Sequence, residues 1–186
     1  MIIEALEKLK TIECNSENVS NICKDKLSDY NYSYGSTKVV IYCNNFVIKK
    51  IFEKAPKDEV EVYIASREKK LNRFFATTLK YSEDIYIQQK VDIALNDFIV
   101  KEKEQGRTIK YGEMREKYRD MGLQDLLLRS DCCVIYYLLR DYELEEVLEL
   151  QKFIVEQDLT DLQLYNAGFY NGKIVFFDYG GTEWWD

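Results

Sequence analysis

The spacing between hydrophobic residues changes along the chain, and this change divides the first half of the sequence into helical and extended segments. Apolar residues recur at helical spacing in 2–10 and 16–27, which predicts two short N-terminal helices. From 37 to 52, two β-branched and aromatic runs flank Asn44-Asn45. This predicts a β-hairpin, because asparagine tolerates the positive φ of such turns. Three- and four-residue steps in 58–80 then predict an amphipathic helix with a basic outer face.

The second half of the sequence returns to helices and ends on strands. The run Ile85-Tyr86-Ile87 predicts a short strand, or a pair of strands. Helical patterns broken by glycine predict four helices, over 92–104, 113–121, 123–140 and 143–157. Near the end, Asn171-Gly172 between two apolar runs is a strong hairpin signal. The order of elements therefore predicts an α+β protein.

The composition sets limits on the chemistry. With 186 residues, 46% of them hydrophobic, the chain is long enough for one domain or two small lobes around a packed core. Histidine is absent from the sequence. This excludes Ser-His-Asp and Cys-His nucleophiles, His-ligated zinc and imidazole bases. Five cysteines without Cys-x-x-Cys spacing predict neither a zinc ribbon nor a disulfide framework, so we expect a cytoplasmic protein.

Charge and hydropathy narrow the classes of partner. The net charge of −7 comes mostly from residues 140–161, which hold 2 Lys or Arg against 8 Asp or Glu. A nucleic-acid partner requires a basic stripe instead, so we expect none. The sequence has no run of 18 apolar residues and no signal-like start, so we expect neither a membrane partner nor export.

Polar residues flank the late hairpin at positions suited to metal chemistry. Asp161 and Asn166 precede the hairpin, and Asp178 follows it. The hairpin therefore brings two carboxylates and an amide to one end of a sheet. Hard oxygen ligands of this kind suit Mg²⁺, which takes one or two carboxylates together with phosphate oxygens and water.

In these residues the sequence resembles the protein-kinase-like superfamily, which includes protein kinases and the aminoglycoside and choline phosphotransferases. Asp161 and Asn166 match the D-x-x-x-x-N catalytic loop, and Asp178-Tyr179-Gly180 resembles the D-F-G motif. The resemblance implies that Asp161 is the base that orients the acceptor hydroxyl. It also implies that Asn166 and Asp178 ligate Mg²⁺ beside bound ATP.

The resemblance extends upstream to a lysine and a glutamate. Lys49 resembles the lysine that holds nucleotide phosphates, and Glu59 resembles the helix glutamate that positions it. Glu61 competes with Glu59 for this role. We favour Glu59 because the bulky Tyr63 lies one turn beyond it, whereas Ala65 lies one turn beyond Glu61.

The nucleotide loop and the lysine strand carry weaker signals. Gly35 and Ser36 stand before the lysine strand, where the family has a loop with several glycines, and the resemblance implies that they contact the nucleotide. Alternation along the strand puts Lys49 on the face of Val47 and Lys50 on the opposite face. Taken alone, the two lysines also fit a solvated strand edge.

The implied fold has two lobes. Residues 1–91 form the N-terminal helices and an N-lobe of antiparallel sheet plus helix, and residues 92–186 form a reduced, mainly helical C-lobe with the catalytic-loop hairpin. Leu159 stands where the family keeps a histidine, and Thr160 where many kinases keep an arginine. The sequence ends shortly after the D-F-G-like motif, so we expect only the nucleotide-handling half of a kinase. Trp184-Trp185 fits either a packed latch or a partner surface.

Three functional hypotheses follow from these features. The first is a minimal kinase that binds ATP and Mg²⁺ and transfers phosphate to a protein or a small hydroxyl compound. The second is a pseudokinase of viral or effector type, a protein-interaction module with weak or no catalysis, favoured by Leu159 and the single loop glycine. The third is a helical adaptor, which would lack a cleft between the lysine and the aspartates.

Overall fold

The computed structural model describes residues 2–53, 58–93 and 110–179, which form an α+β structure. The helices of this part are α1 (Ile2–Lys10), α2 (Val19–Lys26), α3 (Glu59–Glu68), α4 (Tyr111–Asp120), α5 (Gln124–Arg129), α6 (Cys132–Asp141) and α7 (Leu144–Glu156). Its strands are β1 (Tyr32–Tyr34), β2 (Lys38–Tyr42), β3 (Phe46–Ile51), β4 (Thr78–Lys80), β5 (Ile85–Gln89), β6 (Asp92–Ile93), β7 (Ala167–Tyr170) and β8 (Lys173–Phe176). No helix among these residues is long and apolar enough to cross a membrane.

The first hydrophobic core lies between the N-terminal helices and a five-stranded antiparallel sheet with the order β1-β2-β3-β5-β4. The helices and the residues that directly follow them contribute Ala5, Leu6, Leu9, Ile12, Val19, Cys23 and Leu27, and the sheet contributes Val39, Ile41, Ile48 and Ile85. Because side chains alternate between the two faces of a strand, the residues between these sheet positions lie on the opposite face. The two N-terminal helices therefore leave one face of the sheet for other contacts.

The second hydrophobic core joins α4–α7 to α3 and to the late hairpin. Phe75 contacts Phe153 of α7 edge-on, with ring centroids 5.8 Å apart, and contacts Tyr179 at 5.0 Å. The backbone N–H of Ala76 donates to the carbonyl of Phe176 at 2.7 Å. The segment between α3 and β4 is thereby attached to the end of β8. Two cores joined in this way are compatible with a small two-lobed fold.

The late hairpin forms at the predicted position. Asn171 and Gly172 have φ values of 51° and 78°, as the type I′ turn of a two-residue hairpin requires. Strand β6 pairs with β7 so closely that a Cβ on Gly168 would lie 2.7 Å from the carbonyl oxygen of Asp92. Glycine is therefore the residue that allows this approach of the two strands.

The first hairpin also forms, but its turn differs from the prediction. Neither Asn44 nor Asn45 has a positive φ. The turn is closed by a hydrogen bond from the N–H of Cys43 to the carbonyl of Phe46, 2.9 Å long. The position of this hairpin was predictable, whereas the conformation of its turn was not.

The predicted helix over 58–80 is wrong beyond Glu68. Lys70 adopts a φ of 60°, and the N–H of Leu71 donates to the carbonyl of Ser66 at 2.7 Å, which ends the helix. A 3₁₀ turn at Asn72–Phe74 and strand β4 follow. Leu71 and Phe74 are apolar because both are buried in the second core, although neither lies in α3. Their spacing therefore extended the apparent helical pattern beyond the real end of the helix.

Two other predicted helices also require correction. The segment 123–140 divides into α5 and α6 at Ser130, whose extended backbone forms a β-bridge to Leu162. Of the predicted helix over 92–104, the described residues Asp92 and Ile93 form strand β6, and the others lie outside the described part. Gly180 and Trp184-Trp185 lie outside it as well.

Asp131 connects the start of α6 to the loop before the late hairpin, so its substitution should lower stability. Its Oδ1 accepts from the N–H groups of Cys133 and Val134, and its Oδ2 accepts from that of Leu164 at 2.9 Å. We expect Asp131→Ala to reduce the free energy of unfolding by about 2–4 kcal/mol in urea titrations. The exposed Glu149→Ala should change it by less than about 0.5 kcal/mol. Equal stability of the two variants would contradict this assignment.

Candidate functional site

The centre of the candidate site is a buried ion pair. Lys49 lies on the inner strand β3, only 3% exposed, so it is not on a solvated edge. Its Nζ lies 2.8 Å from Oε2 and 3.1 Å from Oε1 of Glu59, and it donates to the carbonyl of Phe177 at 2.7 Å. Burial lowers the pKa of Lys49 below its ordinary value, although Glu59 opposes that shift. The structure thus surrounds the ammonium group with three oxygen acceptors.

Helix α3 places Glu59 against this lysine. Asp58 caps the helix by accepting from the N–H of Val60 at 2.8 Å, so Glu59 lies in the first turn. Glu59 is 4% exposed, whereas Glu61 is exposed to solvent. The structure therefore pairs Lys49 with Glu59 rather than with Glu61.

A polar network behind the pair was not anticipated from the sequence. The Nε2 of Gln88 donates to Glu59 Oε2 at 3.0 Å and to Thr78 Oγ1 at 2.8 Å. Thr78 Oγ1 in turn lies 2.8 Å from the hydroxyl of Tyr179. The sequence carries no distinct signal for this network, because Thr78 follows Thr77 and Gln88 precedes Gln89. Through it, α3 and the D-F-G-like segment are connected by hydrogen bonds.

The loop before the late hairpin brings Asp161 and Asn166 together. Leu159 is fully buried in the second core, where it fills an apolar position. Asp161 has a φ of 57°, in the left-handed region. The Asn166 amide donates to the Asp161 carbonyl at 2.7 Å and to its Oδ2 at 3.1 Å. The two residues of the D-x-x-x-x-N spacing are therefore in direct contact.

Tyr165 makes a further contact to the same aspartate. Its hydroxyl donates to Oδ1 of Asp161. Partial burial and this hydrogen bond raise the pKa of Tyr165 to about 12. Both carboxylate oxygens of Asp161 thus accept a hydrogen bond from a neighbour in the loop.

The late hairpin positions Asp178 beside Asn166. Ala167 pairs with Phe176, so the residues just outside the paired strands lie next to each other. The carbonyl of Asn166 accepts from the N–H of Phe177 at 3.0 Å and of Asp178 at 3.4 Å. Burial acts to raise the pKa of Asp178, but the nearby lysine ammonium groups hold it below its ordinary value. Asp178 is therefore held in its carboxylate form.

Lys38 is a site residue that sequence reasoning missed. It lies at the start of β2, and its Nζ contacts Oδ1 of Asp178 and lies 3.4 Å from Oε1 of Glu59. Burial acts to lower its pKa, but these carboxylates outweigh it and raise the pKa above the ordinary value. The signal was available in the alternation of β2, because Lys38 shares a face with Val40, which pairs with Lys49.

These side chains surround a cavity of about 980 Å³. Six of the seven predicted site residues line it: Gly35, Ser36, Glu59, Asp161, Asn166 and Asp178. Lys49, the seventh, is bonded to Glu59 at the wall of the cavity. Gly35 and Ser36 lie in the β1–β2 connection, where the N–H of Gly35 donates to the Lys38 carbonyl at 2.9 Å.

The cavity is acidic, which determines what can enter it. Its described lining carries nine carboxylates and three lysine ammonium groups. Two of these lysines are paired at the rim, Lys50 with Asp84 and Lys80 with Asp58. A polyanion entering this cavity therefore needs additional positive charge from a cation.

The candidate donors for a divalent cation are one carboxylate and one amide. Asp178 offers a carboxylate, and the amide nitrogen of Asn166 faces Asp161, so its Oδ1 faces away from that residue. Within the described ranges, no group of three or more Cys, Asp or Glu side chains is placed to hold a metal ion. One carboxylate and one amide suit Mg²⁺ when phosphate oxygens and water complete its coordination.

No protein-family model matches the chain, and no curated protein or solved structure matches it.

The buried pair predicts unequal effects of two glutamate substitutions. Glu59→Gln should lower the free energy of unfolding by about 3–5 kcal/mol, because it leaves the Lys49 ammonium group without its charged partner. Glu61→Gln is the matched control on the same helix and should have little effect, since Glu61 is exposed. Thermal and urea unfolding of both variants would measure the difference. A larger loss in Glu61→Gln would refute this pairing.

Proposed function

We propose that the protein binds ATP with a divalent cation through a protein-kinase-like fold and transfers the terminal phosphate to a hydroxyl acceptor. The observation that carries this proposal is a chain of contacts across the cavity. Glu59 binds Lys49, Lys49 binds the carbonyl of Phe177, and the next residue, Asp178, lies beside Asn166. In protein kinases, a strand lysine paired with a helix glutamate and an aspartate with an asparagine at the metal ions form the phosphoryl-transfer site.

The order of the elements supports the same proposal. A hairpin that carries Lys49 is followed by a helix that carries Glu59, then by short strands, a helical part and a late hairpin between Asn166 and Asp178. These are the parts, in the same order, that the sequence resemblance implies.

Each residue has a role that follows from its contacts. Lys49 would neutralise phosphate charge, with Glu59 holding its ammonium group in place. Asn166 and Asp178 would hold the cation, which neutralises charge on the transferred phosphoryl group. The acceptor oxygen forms a bond to the terminal phosphorus while the bond to the bridging oxygen breaks and ADP leaves. Asp161 would accept the hydroxyl proton.

A second candidate function is a nucleotide-binding module without transfer. It is favoured by the hydrogen bonds to both carboxylate oxygens of Asp161, from Tyr165 and from Asn166. These two bonds occupy the carboxylate oxygens with which a substrate hydroxyl would have to hydrogen-bond. Such a protein would keep the cleft to bind nucleotide and act through a protein partner.

Nucleotide binding is tested by thermal unfolding with ATP and MgCl₂. At about 100 times its dissociation constant, ATP should stabilise the protein by about 2.7 kcal/mol, or roughly 5–10 °C in melting temperature. Asp178→Asn should remove most of the Mg²⁺-dependent part of this shift. Asp84→Asn is the matched control, because Asp84 also pairs with a lysine, Lys50, at the cavity rim. An unchanged melting temperature of the wild-type protein at millimolar ATP would reject the proposal.

Phosphate transfer is tested separately by following ADP formation. The transferase predicts that Asp161→Asn loses about 100-fold or more in rate. It also predicts that Tyr165→Phe gains a few-fold, because one oxygen of Asp161 is freed. Tyr170→Phe, another exposed tyrosine, should match the wild-type protein. A wild-type protein and a Tyr165→Phe variant that both bind ATP without forming ADP would establish the binding module instead.

A further inference from the structure

Two lysine side chains enter the cleft from neighbouring strands. In the antiparallel register of β2 and β3, Lys38 pairs with Ile51 and Val40 pairs with Lys49. Residues two apart on a strand share a face, so Lys38 and Lys49 lie on the same face of the sheet. Both ammonium groups contact Glu59, at 3.4 Å and 2.8 Å respectively. The phosphate end of the proposed site therefore contains two lysines rather than one.

The two lysines differ in how they are held. Lys49 is almost fully buried, with a carbonyl and both oxygens of Glu59 as acceptors. Lys38 lines the cavity with 18% of its side chain exposed, and its closest partner is Asp178, whose side chain is 30% exposed. A lysine side chain of this kind, on a flexible four-carbon stem, can change partners without leaving the cavity.

The Asp178 carboxylate cannot bind both the Lys38 ammonium group and a divalent cation closely at the same time. Asp178 is the carboxylate that the proposed function assigns to a divalent cation, yet its Oδ1 accepts from Lys38. Two cations close to one carboxylate repel each other. The acidic lining also means that bound polyphosphate needs every positive group that the cavity can supply.

We propose that Lys38 is a second phosphate-binding residue, and that its ammonium group and a divalent cation compete for Asp178. Lys38 contacts Asp178 when no cation is bound and turns to the nucleotide phosphates when Asp178 binds one. The residue is near enough for this, because its own carbonyl bonds to Gly35 in the β1–β2 connection beside the cavity. This inference rests on the proposed nucleotide binding.

Calorimetric titrations of Lys38→Met test both halves of the inference. Mn²⁺ alone should bind the variant about tenfold more tightly than the wild-type protein, because Asp178 has lost its competing partner. ATP in the presence of saturating Mn²⁺ should bind the variant about tenfold more weakly, because one charged hydrogen bond to phosphate is lost. Lys69→Met is the matched control, since it also removes a lysine–carboxylate pair, with Glu156, but outside the cavity lining, and it should change neither affinity by more than about twofold.

Two further variants separate binding from folding. Lys38→Gln should show the same two changes if Lys38→Met does not fold, and Lys38→Arg should keep ATP binding at saturating Mn²⁺ within about threefold of the wild-type value. Mn²⁺ and ATP affinities equal to those of the wild-type protein in Lys38→Gln would overturn the inference and leave nucleotide binding intact. A wild-type protein that binds no ATP, with or without Mn²⁺, would reject the proposed function and this inference together.

Discussion

The buried ammonium group of Lys49 is the constraint on which the rest of the structure depends. A charge removed from water costs several kcal/mol unless it is paired and hydrogen-bonded. Its acceptors come from two distant segments, Glu59 at the start of α3 and the carbonyl of Phe177 after β8. The ion pair therefore requires that the five-stranded sheet, α3 and the late hairpin meet at one place. Burial of apolar side chains in the two hydrophobic cores supplies the free energy that holds these three elements together.

The same ion pair is the centre of a hydrogen-bond network that connects the polar side chains around the cavity. Glu59 is shared by Lys49, Lys38 and Gln88, and the network continues through Thr78 to the hydroxyl of Tyr179. Tyr179 is fully buried, so the residue next to Asp178 is anchored by packing as well as by hydrogen bonds. Because packing and hydrogen bonds hold these charges in place, little reorganisation would be needed when a ligand binds.

Local patterns predicted much of the fold, and the resemblance to the protein-kinase-like superfamily implied most of the candidate residues. The alternation of β3 separated Lys49 from Lys50, and the structure gives Lys50 a different partner, Asp84, on the opposite face. The Asn-Gly turn predicted the hairpin that brings Asn166 and Asp178 together. The helix prediction failed beyond Glu68, where apolar residues at helical spacing are buried by tertiary contacts although they do not lie in a helix. Phe74 lies in a 3₁₀ turn after α3. It is apolar because it is buried in the second core, and its spacing from the apolar residues of α3 is helical only by coincidence.

The amino-acid sequence by itself determined the short-range features: which segments are helical or extended, where the hairpins turn, and which face of a strand each lysine occupies. These depend on neighbours within a few residues, so periodicity and turn chemistry reveal them. Only the tertiary structure decided which charges meet. Lys38 and Asp178 are 140 residues apart in the chain, and their contact was not predicted. The sequence favoured Glu59 over Glu61, but only the packing of α3 against the sheet brings Glu59 to Lys49. Contacts of this range depend on how the two cores pack together, and no local pattern encodes that packing.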